Sequence, residues 1–227
     1  MSTPSFVDAF SQQFTLDPAR TALLIIDMQN ATGNRHMGLG ELLAEQGNSD
    51  SAQYRFDRIE QLLIPNIQKL IEGFRTAGAS IIWITYGANA RDASDAPPHI
   101  APIIKATNNI AGQPEHEVVD ALKPGPDDLV LNKTTQGAFR STALDSALRA
   151  LGVTTVVSTG VSTNNCVAMT SMEACDLQYQ VVVASDGTGT DSEDMQQATL
   201  TMLKRLWARV LSTEEILAEL QTTGGTP

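Results

Sequence analysis

The chain of 227 residues is long enough for one α/β domain with a large core, and its 42% hydrophobic and 18% charged content is that of an ordinary globular protein. A formal net charge of -11 argues against a nucleic acid or an anionic membrane as partner, because either would need a basic patch. No apolar run reaches the length of a membrane span. The start, MSTPSFVDAFSQQF, lacks the basic and apolar regions of a signal peptide.

In chain order, the apolar run TALLIID (21–27) predicts a strand buried on both faces. RIEQLLIPNIQKLIEGFRTAG follows, with Ile59, Leu62, Leu63, Ile67, Leu70, Ile71 and Phe74 on one helical face. It stops at Gly78, and Pro65 predicts a kink or a division into two helices. ASIIWITY (79–86) is a second strand. The segment from Gly87 to Pro114, dense in Pro, Ala, Asn and Asp, predicts a lid or binding loop. DLVLNK (128–133) is a third strand, and STALDSALRALG a helix with a Ser/Thr cap that ends at Gly152. TTVVST (154–159), QVVVASD (180–186) and the weaker ARVLS (208–212) complete six strands. NNCVAMTSMEACDLQ, SEDMQQATLTMLKRLW and STEEILAELQ supply three further helices. Strands alternating with helices predict a three-layer α/β fold, a six-stranded, mostly parallel sheet with helices on both faces. We expect an N-terminal extension over 1–20, a single domain over 21–221 and a disordered tail over 222–227.

Ligands of open parallel sheets bind beyond the carboxyl ends of the strands. One acid, one base and one thiol fall there. Asp27 ends an otherwise apolar strand, where a carboxylate also commonly caps a loop. Lys133 ends the third strand, where a lysine is ordinarily solvated. It gains meaning if it meets Asp27, since opposite charges at a shared rim keep each other ionised. Cys166 follows a strand and a Gly-containing turn near the start of a helix, a position expected to lower its pKa and to offer N–H groups to an oxyanion. Cys175, in a helix interior, reads as a small core hydrophobe. Nine residues apart on one helix, the two cysteines would stand about 13 Å apart along the axis, beyond the roughly 7 Å reach of a disulfide. Two cysteines without an export signal point to a reducing, cytoplasmic setting. His36, His99 and His116 lie in irregular segments, and none follows a strand directly, so Asp27 is the candidate base. Trp83 reads as core, while Tyr86 and Arg91 follow the second strand as pocket candidates. No dinucleotide fingerprint, Walker sequence or metal-ligand spacing of Cys and His occurs.

Three segments carry a resemblance: LLIIDMQN, NKTTQGAFRSTALDSALRALGV and STGVSTNNCVAMTSMEACDLQYQVVVASDGTGT. Together and in this order they resemble the signatures of the isochorismatase-like cysteine hydrolases, from about Thr21 to the last helix. The resemblance implies a catalytic triad of Asp27, Lys133 and Cys166. It also implies a cis peptide between Val161 and Ser162 and an oxyanion hole from the N–H groups of Ser162 and Cys166. Nicotinamidases of that family hold a metal through an Asp-x-His pair after the second strand. YGANARDASDAPPH contains no such pair, so no metal and no cofactor is expected. Isochorismatases proper lack the nucleophilic Cys, so Cys166 implies a carbonyl substrate.

The expected activity is cysteine-dependent hydrolysis of a C–N bond in a small linear amide, carbamoyl or ureido compound through a thioester. Gln29, Tyr86, Phe139 and Asn165 are the expected substrate contacts. The alternatives are a vinyl ether hydrolase of the isochorismatase type and a non-catalytic binding protein. The resemblance also implies a homo-oligomer, a dimer or a tetramer. The segment from Gly38 to Arg55 has no assigned role beyond shaping the pocket or an oligomer contact.

Overall fold

Runs of Leu, Ile and Val too short for a helix, bounded by Gly and polar residues, have their lowest free energy as strands covered on both faces. In the computed structural model, which describes Phe10, Ser11 and residues 13–223, four such runs and two partly exposed edge strands form one sheet. They are β1 (Thr21–Ile26), β2 (Ser80–Tyr86), β3 (Leu129–Lys133), β4 (Thr155–Val161), β5 (Gln180–Gly189) and β6 (Arg209–Leu211). All neighbours are parallel and the order is β3-β2-β1-β4-β5-β6. The chain winds outward from β1 to β3, then returns to lay β4 on the other side of β1. The topological switch point, where doubly wound sheets open a crevice, therefore lies between β1 and β4.

The helices are α1 (Asn30–Gly33), α2 (Leu39–Glu45), α3 (Gln53–Arg58), α4 (Ile64–Thr76), α5 (Ala101–Ala106), α6 (Ala138–Ser141), α7 (Leu144–Ala150), α8 (Ala168–Asp176), α9 (Glu193–Lys204) and α10 (Thr213–Thr223). Alternation along each strand sends side chains to opposite faces. Leu23, Ile25, Trp83, Val157 and Val182 join Ile67, Leu70, Phe74, Ile216 and Leu220 beneath α4 and α10. Ala22, Leu24, Ile26, Ile82, Ile84 and Val183 join Leu144, Leu148, Ala174 and Leu203 beneath α7, α8 and α9. Each fully buried large aliphatic side chain contributes roughly 1.5–3 kcal/mol. No helix among the described residues is long and apolar enough to cross a membrane.

The helical stretch around Pro65 is divided, as expected, into α3 and α4. The chain enters α4 through a π-helical turn, Ile59–Leu63, closed by the Ile64 N–H on the Ile59 carbonyl. That wider turn seats proline near the start of α4, where a missing N–H costs little. Trp83 is core, as expected, and its indole N–H donates to Asp128 at 2.8 Å. The segment after β2 is more ordered than its composition predicts. It contains α5 and a small core of its own, formed by Tyr86, Ala88, Ala93, Ile104 and Ile110. α10 runs through Thr223, two residues into the expected tail, and residues 224–227 lie outside those described. Within the expected extension, Leu16 is wholly buried against the first core.

At Gly160 the β4 backbone comes close to β1. The Gly160 φ is 102°, the β4–β5 register shifts beside it, and a Cβ there would run into the Ile26 carbonyl. Gly160→Ala is expected to lose more than about 3 kcal/mol of stability, from left-handed backbone strain plus overlap. A urea unfolding midpoint unchanged by the substitution would contradict that packing.

Candidate active site

Three strand ends converge at the switch point. The chain leaves β1 at Asp27 with φ 55°, a left-handed conformation that Asp tolerates better than most residues. Its N–H still extends the ladder to the Ile84 carbonyl of β2 at 2.8 Å. Tyr86 and Lys133 are register partners on β2 and β3. They follow Ile84 and Leu131 by two residues, so both point to the face where Cys166 packs. Cys166 comes from the turn after β4. The Val161–Ser162 peptide is cis, at the bond that the resemblance indicated. The chain then enters a π-helical turn, Thr163–Val167, before α8. The N–H groups of Asn165 and Val167 both donate to the Ser162 carbonyl, and that of Cys166, between them, does not join them.

Lys133 Nζ donates to Asp27 Oδ2 at 2.9 Å and sits 3.9 Å from the centre of the Tyr86 ring. Relative exposures of 0%, 4% and 7% for Lys133, Asp27 and Cys166 leave almost no water to screen their charges. Burial works against the Lys133 charge, yet the Asp27 carboxylate and Cys166 together push its pKa upward, so it remains an ammonium. Burial raises the Asp27 pKa above its ordinary value, with Lys133 and the Cys166 thiol pulling the other way. The thiol itself is pushed up to about 12, by burial first and by the Asp27 charge second, with Lys133 opposing. The expected lowering of the thiol pKa is therefore corrected. Cys166 lies inside a widened turn in a nearly dry site, and the carboxylate beside it disfavours a second anion.

A cavity of about 180 Å³ opens onto this group, smaller than the roughly 300–1,000 Å³ usual for drug-sized ligands. Asp27, Tyr86, Ser162, Asn165 and Cys166 line it, as does Gln29. Gln29 is committed to the frame. Its Nε2 donates to the carbonyls of Tyr86 and His116, and its Oε1 accepts from the Tyr86 N–H. Among the described residues, only two buried side-chain polar atoms lack a hydrogen-bond partner, Asp27 Oδ1 and the Tyr86 hydroxyl. Both belong to cavity-lining residues, which marks the cavity as a place where polar ligand atoms would be satisfied. A larger hollow of about 570 Å³ between α4 and α10 lies away from these groups.

Phe139, expected as a substrate contact, does not line the cavity. It lies on α6 and packs against the Tyr179 ring at 5.8 Å, because that short helix leads back over the second core. Arg91 is exposed rather than in the cavity. His116, a loop residue in sequence, is near enough for its charge to lower the Asp27 pKa, though its ring bonds Asn132 at 2.8 Å. The arginine in the cavity wall is Arg55, from the segment without an assigned role. A signal for it existed. Ala52, Arg55, Phe56, Ile59 and Leu63 recur at helical spacing on a buried face, and a charge on such a stripe needs partners. Leu39 from the same segment, Ile100, Ile103 and Asn109 from the segment after β2, and Asp191 also line the cavity. Among the described residues, no group of three or more His, Cys, Asp or Glu is placed to hold a metal ion.

The family model for the isochorismatase domain matches residues 21–215, and the chain belongs to the isochorismatase family. Ureidoacrylate amidohydrolase RutB from Rhizobium rhizogenes is 28% identical over 231 residues, spanning 95% of this chain and 89% of the relative. A cysteine hydrolase from Pseudomonas syringae pv. phaseolicola superposes with a TM-score of 0.77 at 24% identity, over 98% of this chain and all of the other. N-carbamoylsarcosine amidase from Thermoplasma acidophilum superposes with a TM-score of 0.65 at 25% identity, over 87% of this chain and 98% of the other.

Lys133→Met leaves a buried carboxylate without its cation and is expected to destabilise the fold by about 3–5 kcal/mol in urea unfolding. The double variant Asp27→Ala/Lys133→Met should lose less than the two single losses summed. Strict additivity would mean that the pair is not coupled.

Proposed function

We propose that the chain is a cysteine-dependent amidohydrolase that cleaves a C–N bond of a small linear amide, carbamoyl or ureido compound. The observation that carries this reading is the meeting of Asp27 and Cys166 in the lining of one small cavity, with Lys133 buried behind them in contact with Asp27 at 2.9 Å. The relatives support the bond class, one being a ureidoacrylate amidohydrolase and another an N-carbamoylsarcosine amidase.

The thiol carries its proton at rest, so attack begins with transfer of that proton to the Asp27 carboxylate, whose raised pKa makes it the better acceptor. Sulfur then bonds to the substrate carbonyl carbon, and the oxygen takes the negative charge. The backbone N–H groups of Ser162 and Cys166 receive it as an oxyanion hole. Asp27 returns its proton to the departing nitrogen as the C–N bond breaks. Ammonia or an amine leaves, and Cys166 remains as a thioester. Water attacks the thioester, Asp27 takes a proton from it, and the S–C bond breaks as that proton returns to sulfur. Lys133 keeps its charge throughout. It holds Asp27 in place and offsets the negative charge that passes between oxygen and sulfur.

Cys166→Ala is expected to abolish ammonia release in a screen of carbamoyl compounds, ureido acids and simple amides, with circular dichroism unchanged. Retained turnover by that variant would reject the thiol mechanism. The pH dependence follows from the sign of the Asp27 shift. A raised pKa means that the base is lost on acidification earlier than an ordinary carboxylate near 3.9 would be, so the acid limb of kcat/KM should lie above that value. With the thiol pushed up to about 12, iodoacetamide should alkylate the free enzyme at pH 7–8 more slowly than a free cysteine. Faster alkylation would mean that the thiolate forms before substrate arrives, and would overturn a proton transfer that begins the attack.

A further inference from the structure

Arg55 is the cavity's cation without a buried anion. Its side chain is 6% exposed. Nε donates to the Thr32 carbonyl at 2.9 Å, and Nη1 donates to Ser162 Oγ at 2.8 Å and to Asp191 Oδ1 at 3.0 Å. Nη2, with two N–H groups, has no hydrogen-bond partner among the described residues. The Asp191 side chain is 68% exposed, on the loop just before α9. A buried guanidinium gains most from a carboxylate held by both arms of its fork, and here it has one contact from a carboxylate that is mostly in water. Ser162 ties this fork to the turn that carries Cys166. A group on Arg55 therefore sits at a fixed offset from the sulfur. A protein of net charge -11 repels anions at long range, so an acidic substrate needs a local cation to hold it.

We infer that Arg55 is the specificity-determining residue for an acidic substrate, binding a carboxylate of the molecule whose C–N bond Cys166 cleaves, and that Asp191, which holds Arg55 in this structure, swings out to solvent when substrate enters. This rests on the amidohydrolase reading and narrows it to small carbamoyl, ureido or amide compounds that carry a carboxylate. Asp191 is an internal competitor. Its exposed side chain is easily displaced, and neutral substrates that cannot replace it leave the Arg55 charge poorly matched.

The test compares N-carbamoyl and amide acids of graded length with their methyl esters, by ammonia release. The wild-type enzyme is expected to prefer the acid at least tenfold in kcat/KM, chiefly through KM. Arg55→Met should collapse the acid-to-ester ratio by a factor on the order of 100, as loss of a partner to a buried polar group does. Arg55→Lys, which keeps the charge but not the fork, should reduce the ratio part-way if the Met variant fails to fold. Asp191→Asn, at an exposed side chain, should raise the ratio by lowering KM for the acid. An acid-to-ester ratio near one, or a ratio that Asp191→Asn lowers, would overturn the inference while leaving the amidohydrolase reading intact. If nothing is turned over, calorimetry of the acids on the Cys166→Ala variant separates the two claims. Acid binding that Arg55→Lys weakens would sustain the carboxylate site and sink the hydrolytic reading, and absence of acid binding would overturn the site itself.

Discussion

The buried ion pair between Lys133 and Asp27 is the constraint on which the rest of the site turns. It joins the end of β3 to the end of β1 across β2, and the Tyr86 ring beneath the ammonium makes β2 part of the same contact. Two opposite charges taken out of water together are tolerable when each completes the other, and neither is tolerable alone. The pair therefore fixes the relative position of three strand ends and places a carboxylate, held above its ordinary pKa, beside a thiol that keeps its proton. In the proposed reaction that standing arrangement is what lets one carboxylate serve first as acceptor and then as donor.

The frame around the pair uses backbone geometry more than side-chain chemistry. Gly160 lets β4 come close to β1, the Val161–Ser162 peptide is cis, and a π-helical turn leads into α8. Gln29 spends its whole amide group on the Tyr86 backbone and the His116 carbonyl, which secures the loop opposite. These features share one effect. They bring a peptide turn, a carboxylate and an aromatic ring into the lining of a cavity too small for a bulky ligand.

Much of this was legible in the residues. The apolar runs of β1, β2, β4 and β5 became strands because burial on both faces is written as near-continuous hydrophobicity, while β3 and β6 form the partly exposed edges. The three strand-end residues stood out because polar groups at those positions break that pattern. The resemblance located the cis bond, which no periodicity reveals. What escaped had physical causes. The helix carrying Arg55 was read from Arg58 onward, so a charged residue on its buried stripe was not seen as one. Phe139 follows Lys133 by only six residues, but α6 turns it back over the second core, and nearness in sequence did not become nearness in space. The direction of the thiol's pKa shift depended on how dry the site is and on a carboxylate 139 residues earlier in the chain, neither of which a local motif reports.

The segment after β2 builds one wall of the cavity on its own miniature core, separate from the two that sandwich the sheet. Ile100, Ile103 and Asn109 are therefore carried by a module that meets the sheet through Tyr86 at the end of β2. Substitutions far from Tyr86 within that module give natural selection a place to reshape one cavity wall with the Lys133–Asp27 pair left in place.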